Sequence, residues 1–326
     1  MKTFLPFFVL FASFSFADYS NHPQAQDLIN SLVNDHGFER SYVVKVLKTA
    51  QKKDKILESV SSPAEFTWTW DRYKKLFIEE KRITNGRIFI QEHEELFDRV
   101  EVEFGVPREI ITSILGVETR YGKIKGNYRV LDSLATLGFD FPRRSEFFKS
   151  ELIEFFILSR ENNLDIYSIE GSYAGAMGYG QFISSSYRAY AVDYDGDGYS
   201  DLFNSIPDAV ASVANYLKSH GWEIDGPTIA RAEISDGSNR YETLKMKRKP
   251  LYTIKKLKKF GITPSINIHN DRKSTLIKLN NKKDTEYWLG FNNFYVITRY
   301  NHSTYYAMSV LLLSERIRAL RNSKKP

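Results

Sequence analysis

The spacing of apolar residues is helical on both sides of one stretch, residues 228–295, where it changes. In "AQDLINSLVNDHGFERSYVVKVLKTAQKK" apolar positions recur every three or four residues, which predicts a helix broken at Gly37 and a second that Ser41 can cap. "SSPAEFTWTWDRYKKLF" reads as an aromatic-rich connector, and "RIFIQEHEELFDRVEVEFGV" as a further helical pattern. "FFKSELIEFFILSREN" puts Phe148, Leu152, Phe155 and Ser159 on one side. "DAVASVANYLKSHG" is a helix closed by Gly221, and "STYYAMSVLLLSERIRAL" one capped by Ser303. From Pro227 onward, turn-forming and basic runs enclose short strand-like pieces, "STLIKL" and "EYWLGF". The predicted fold class is mainly α with a small inserted β-containing domain, and 326 residues are ample for such a core.

The first twenty residues, "MKTFLPFFVLFASFSFADYS", begin with a positive Lys2 and an apolar stretch from Thr3 to Phe14. That stretch is too short to span a membrane, and Ser15 and Ala17 form a small-x-small site before Asp18. Residues 1–17 are therefore expected to be a signal peptide, cleaved near Ala17. No later segment reaches 18 uninterrupted apolar residues, so the mature chain is expected to be soluble. Cysteine is absent. That excludes a disulfide framework, a thiolate zinc site, a cysteine nucleophile and a lipid-modified N-terminal cysteine.

Charge is unevenly spread. The chain carries 46 Lys+Arg against 40 Asp+Glu, or +6. Residues 245–283 hold 13 basic residues and one aspartate, +12, which leaves the remainder at −6, 33 basic against 39 acidic. Such a segment suits an anionic polymer; nucleic acid would satisfy it, export favours a polymer of the cell envelope, and a solvated basic face is the plain alternative. The 23 Phe, 20 Tyr and 4 Trp also offer rings for stacking on sugars or bases.

Within "VPREIITSILGVETRYG", Pro107 suits the first turn of a helix and Gly122 its stop. Ile111, Ile114 and Glu118 share one face, with Ile110 and Val117 on an adjacent line. A carboxyl group on that apolar face is expected to be partly desolvated, which raises its pKa and keeps it protonated near neutral pH. Alternatively, Glu118 reaches solvent or pairs with Arg120 or Arg144.

The glycines of "GSYAGAMGYGQF", 171–182, permit close approach of a ligand to the main chain. Neither phosphate-binding pattern is present, so a flat ligand along a groove, or simply tight loop packing, fits better. In "DYDGDGYSDLFN", Asp193, Asp195 and Asp197 occupy positions 1, 3 and 5 of a calcium loop, Gly198 the turn, and Tyr199 offers its carbonyl. Asn204 replaces the usual bidentate glutamate at position 12, so Asp208 is the candidate to close the site, with Asp201 acting through water. The histidines show no paired metal spacing, His93 reading as a surface helix residue. "SSS" at 184–186 lacks a nucleophile elbow. A two-carboxylate glycosidase would pair Glu118 with Asp132, Asp140 or Glu146.

Together, "ILGVETRYG", "LDSLATLGFDFPRR", "GSYAGAMGYGQF", "DGDGYSDLFNSIPDAVASVANYLKSHGW" and "YVITRYNHSTYYAM" resemble the lytic murein transglycosylase B family, glycoside hydrolase family 103, in order from about residue 25 to 320. The basic segment 228–285 is the least family-like part. The resemblance implies a lysozyme-like helical core at 106–227, an N-terminal helical extension at 18–105, a β-rich insertion at 228–295 and a returning helix at 296–326. It implies cleavage of the MurNAc–GlcNAc β-1,4 bond of peptidoglycan to a 1,6-anhydro-MurNAc end. Glu118 matches the single catalytic acid/base, and Ser172, Tyr179 and Gln181 the loop that holds the sugar. Arg143 and Arg144 match the paired groove arginines, and Tyr216, Asn301 and Tyr306 later groove residues. Asp193, Asp195, Asp197 and Tyr199 match an EF-hand-like loop. Phe147 departs from the family, where a tyrosine is expected. No catalytic cofactor is implied, only structural Ca²⁺. The implied partners are glycan strands and cell-wall enzyme complexes, not nucleic acid, for a monomer in the periplasm. The rival readings are a hydrolytic muramidase with Asp140 about 6.5–9.5 Å from Glu118 and a non-catalytic glycan-binding module.

Overall fold

The computed structural model describes residues 18–61, 68–235, 244 and 247–323; the expected signal peptide lies outside the described residues. Its packing centres on the helix Arg108–Thr119, which lies against the helices Thr304–Asn322, Glu80–Glu92 and Ile206–Ser219. Ile110, Ile111, Ile114 and Leu115 are all buried there. Pro107 stands just before the first turn, its carbonyl accepting from the amides of Ile110 and Ile111.

The helix does not run on to Gly122. It ends in two consecutive left-handed residues, Arg120 (φ 52°) and Tyr121 (φ 63°), neither of them glycine. The Tyr121 amide bonds back to the Leu115 carbonyl at 3.1 Å, and its hydroxyl donates to the Arg82 carbonyl at 2.7 Å. The Tyr121 ring fills space that a Cβ on Gly116 or Gly86 would occupy. Burying that ring holds the strained turn in place.

Toward the N-terminus, helices Ala25–Asn34, Arg40–Thr49 and Asp54–Ser61 lie around the pair Val130–Asp140 and Ser145–Glu161. Gly37 breaks the first two with φ +67°. Glu39 rather than Ser41 precedes the second helix, which starts one residue before Ser41. The aromatic connector contains a helix, Trp70–Phe77, because Trp70 and Tyr73 bury against Tyr305. His93 is not within a helix: it separates Glu80–Glu92 from Glu94–Phe104. Phe148, Leu152, Phe155 and Ser159 are all buried on the helix they were expected to share.

The sheet is antiparallel throughout, with strands ordered Tyr252–Thr253, Lys273–Asn280, Thr285–Gly290, Ile229–Ile234 and Ile262–Pro264. Alternation divides its side chains. Leu276 and Leu289 pack with Ile254, Leu257 and Ile262 in a small core of their own. Ile277, Leu279 and Trp288 join the main helical core, which fastens the sheet to the rest of the molecule. Among the described residues no helix is long and apolar enough to cross a membrane.

Candidate active site

Glu118 occupies the penultimate position of its helix and is half-buried. Tyr306, from the first turn of Thr304–Asn322, donates its hydroxyl to Glu118 Oε1 at 2.7 Å. Ser303 sets that turn, its hydroxyl accepting from the Tyr306 amide at 3.1 Å. Burial, with the Glu118 charge second, raises the Tyr306 phenol well above its ordinary pKa, so it remains a donor. The arginines offered as alternative partners are engaged elsewhere: Arg120 pairs with Glu79 at 3.4 Å, and Arg144 lies over the Phe147 ring at 4.1 Å.

The glycine-rich loop is fastened to the end of this helix. Buried Thr119 donates to the Tyr179 carbonyl at 2.8 Å and accepts from the Gly122 amide at 2.9 Å. The Tyr179 ring lies over Gly122 so closely that a Cβ there would sit 2.0 Å from it. The Lys125 ammonium also lies over that ring, 4.8 Å from its centre. Gln181 adopts φ +52°, and its amide nitrogen donates to the Lys125 and Gly178 carbonyls, both at 3.0 Å. Its carbonyl oxygen is thereby left to accept. Ser172 Oγ accepts from the amides of Ala174 (3.3 Å) and Ala176 (3.0 Å), shaping the loop.

A groove of about 670 Å³ runs beside this loop, lined among others by Arg144, Phe147, Gln181, Tyr216, Tyr300 and Asn301. Glu118, Tyr306, Ser172, Tyr179 and Arg143 are not in its lining, but Tyr300 joins it to Glu118. The Tyr300 and Tyr306 rings are parallel with centres 6.5 Å apart, and burial followed by the Glu118 charge raises the Tyr300 phenol well above its ordinary value. Tyr300 donates to the Gly180 carbonyl at 2.5 Å. Tyr216 donates to the Arg299 carbonyl at 2.7 Å, its pKa pushed up to about 12 by burial. Tyr300, Thr119 and Lys125 were missed in the sequence; only adjacency to Asn301 could have pointed to Tyr300. Phe147, in place of the expected tyrosine, gives Arg144 a flat surface to stack on.

Among the described residues, no aspartate or glutamate lines the groove. Asp140 accepts from Tyr19 at 2.5 Å and Lys52 at 3.2 Å. Asp132 takes the Gln51 amide at 2.8 Å together with Arg129, and exposed Glu146 pairs with Lys149 at 2.6 Å.

The acidic loop lies before the helix Ile206–Ser219. Carboxylate oxygens of Asp193, Asp195 and Asp197 all lie within 4.8 Å of one another. Asp193 accepts from the amides of Gly196 (2.7 Å) and Gly198 (2.8 Å), and the Tyr199 amide donates to Asp197 at 2.9 Å. Three gathered hard-oxygen donors fit Ca²⁺. Asp208 is fully buried, and one of its oxygens also accepts from the Asp195 amide at 3.4 Å. Its oxygens accept from the amides of Tyr194 (2.8 Å) and Asp201 (2.7 Å), so it ties the loop's two arms together. Burial raises the Asp208 carboxyl above its ordinary value.

The Transglycosylase SLT domain family matches residues 20–315. The chain belongs to the SLT-domain transglycosylases. Within that family, the membrane-bound lytic murein transglycosylase B of Escherichia coli (strain K12) is 41% identical over 309 residues, 92% of this chain and 84% of that protein. The Escherichia coli lytic transglycosylase Slt35, solved in complex with calcium, is 40% identical with a TM-score of 0.85, covering 94% of this chain and 96% of that one. SltB3 of Pseudomonas aeruginosa, solved with NAG-NAM-pentapeptide, is 28% identical with a TM-score of 0.79, covering 90% and 79%. The helical part of the molecule is accordingly the lysozyme-like SLT core, with an N-terminal helical extension and a small β-containing insertion.

Proposed function

We propose that Glu118 is the sole acid/base of this lytic transglycosylase, an enzyme that acts on peptidoglycan. The observation that carries the reading is the Tyr306–Glu118 hydrogen bond beside a groove that no carboxylate lines among the described residues. Protonated Glu118 donates to the bridging oxygen as the C1–O bond between MurNAc and GlcNAc breaks. The substrate's own N-acetyl oxygen closes on C1, so no carboxylate nucleophile is required. The C6 hydroxyl of the same sugar then attacks C1 and returns its proton to Glu118. The product is the 1,6-anhydro-MurNAc end, and no water is consumed.

Tyr306 holds one carboxyl oxygen and so directs the proton to the other. Gln181, its carbonyl oxygen turned to accept, and Asn301 orient the acetamido group, while Tyr179, Ser172 and Tyr216 fix the walls. Arg144 on Phe147 and the exposed Arg143 meet carboxylates of the substrate's peptide. Asp193, Asp195 and Asp197, with the Tyr199 carbonyl, hold Ca²⁺ as a structural ion, and Asp208 both closes the site and braces the loop. The chain works in the periplasm as a monomer on glycan strands, alongside other cell-wall enzymes. Glu118→Gln tests the acid/base assignment: it should bind purified sacculi and release no soluble fragments, whereas release at the wild-type rate would move the chemistry off Glu118.

A further inference from the structure

Next to the groove beside Glu118 lies a second cavity of about 610 Å³, built on the strand Lys273–Asn280 and the helix Asn292–Tyr300. Lys247, Arg248, Lys249, Lys278, Arg299 and His302 line it, and among the described residues no aspartate or glutamate does. Arg299 and His302 also line the groove beside Glu118, so the two spaces share wall residues. Among the described residues none of these lysines and arginines is in an ion pair, although arginines nearby on the sheet, Arg231 and Arg272, are paired with Glu286 and Glu223.

The cationic wall is held in position. Thr275 donates to the Lys247 carbonyl at 2.5 Å, and Arg248 donates to the His302 carbonyl at 2.7 Å. The Arg299 carbonyl is held by Tyr216 at 2.7 Å. Burial, then the charges of Arg248, Arg299 and Arg144, lower the His302 pKa, which registers one positive field reaching from the cavity into the groove. A neutral sugar chain has no use for five cations that have no ion-pair partner among the described residues. Carboxylates do, and arginine can receive them bidentately.

We propose that this cavity binds the carboxylates of a peptide carried on the same glycan strand whose sugars occupy the Glu118 groove. The proposal rests on the peptidoglycan reading above only for what fills that groove. The Arg299 and His302 walls shared with the groove favour an arm of the same substrate over a separate lipid surface, and place the peptide's contacts on the β insertion as well as on Arg143 and Arg144.

The test compares the mature chain with Lys247→Ala/Lys249→Ala/Lys278→Ala, three exposed side chains outside the Glu118 groove. Each is given glycan strands bearing stem peptides and the same strands stripped of peptide by an amidase. Exposed charge contacts are worth about twofold each, so the triple variant should lose about tenfold in kcat/KM on peptide-bearing strands, through KM. Its cleavage of bare strands should stay at the wild-type level. Equal kinetics of variant and wild type on peptide-bearing strands would overturn the proposal. Binding of soluble muramyl pentapeptide and of phosphatidylglycerol vesicles is measured in parallel. Peptide binding weakened about tenfold in the variant supports the proposal; unchanged peptide binding with lost vesicle binding overturns it in favour of a membrane surface. A wild type that cleaves neither strand would defeat the transglycosylase reading, while the peptide-binding arm still reads the cavity.

Discussion

Tyr306 reaches across 188 residues of sequence to place its hydroxyl 2.7 Å from Glu118 Oε1. The two come from the helices at the centre of the core, Arg108–Thr119 and Thr304–Asn322, which pack directly on each other. The geometry of the proposed site and the core packing are therefore the same contact.

Tyr306→Phe should keep the ring in its buried place and remove only the hydrogen bond. A bond to an ionisable carboxyl is worth about 1.5–3 kcal/mol, so kcat should fall roughly 10- to 100-fold with KM little changed. Steady-state kinetics on sacculi, with a melting curve to confirm the fold, would show it. A wild-type kcat would mean the bond does not position Glu118.

Gly122→Ala strikes the other side of the site. Its φ of +81° is a conformation that alanine resists, and the new Cβ would sit 2.0 Å from the Tyr179 ring. Overpacking costs about 1–3 kcal/mol, so both stability and activity should drop. Thermal melts and turnover, read together, check this; an unaltered enzyme would show that Tyr179 need not lie where it does.

Calcium removal should act on stability first. An ion at about a hundred times its Kd contributes about 2.7 kcal/mol, and Tm should fall by several degrees in chelator. Asp193→Ala should make Tm insensitive to calcium. Asp208→Asn should lower Tm with and without calcium, because Asp208 ties the loop through backbone amides. A melt unchanged by chelator would remove the metal from the account.

His302 has a folded-state pKa below that of a free histidine. As pH falls through the ordinary histidine range the unfolded chain takes the proton first. The stability present above that range is thus lost as pH falls through the folded pKa. Arg248→Gln removes one opposing cation and should move the His302 midpoint upward in an NMR titration. A midpoint that does not move would separate His302 from the cationic cavity.

Periodicity located the Glu118 helix and the β insertion because each buries a regular face: Ile111 and Ile114 at helical spacing, Leu276 and Ile277 on opposite faces of a strand. It failed where distant contacts override local pattern. Trp70 turns a predicted connector into a helix by burying against Tyr305, and Tyr121 ends the Glu118 helix by reaching the Arg82 carbonyl. The carboxylate trio was legible as a spaced motif. The bracing part of Asp208 was not legible, since only the folded loop brings the Tyr194 and Asp201 amides onto it. Tyr300 was hidden for a similar reason: its partner Gly180 lies 120 residues away.

The most direct measurement is mass spectrometry of fragments released from purified sacculi in heavy-oxygen water, with wild type and Glu118→Gln side by side. The account predicts unlabelled 1,6-anhydro-muropeptides from wild type and none from Glu118→Gln. Labelled reducing-end fragments from wild type, or anhydro products from both proteins, would contradict it.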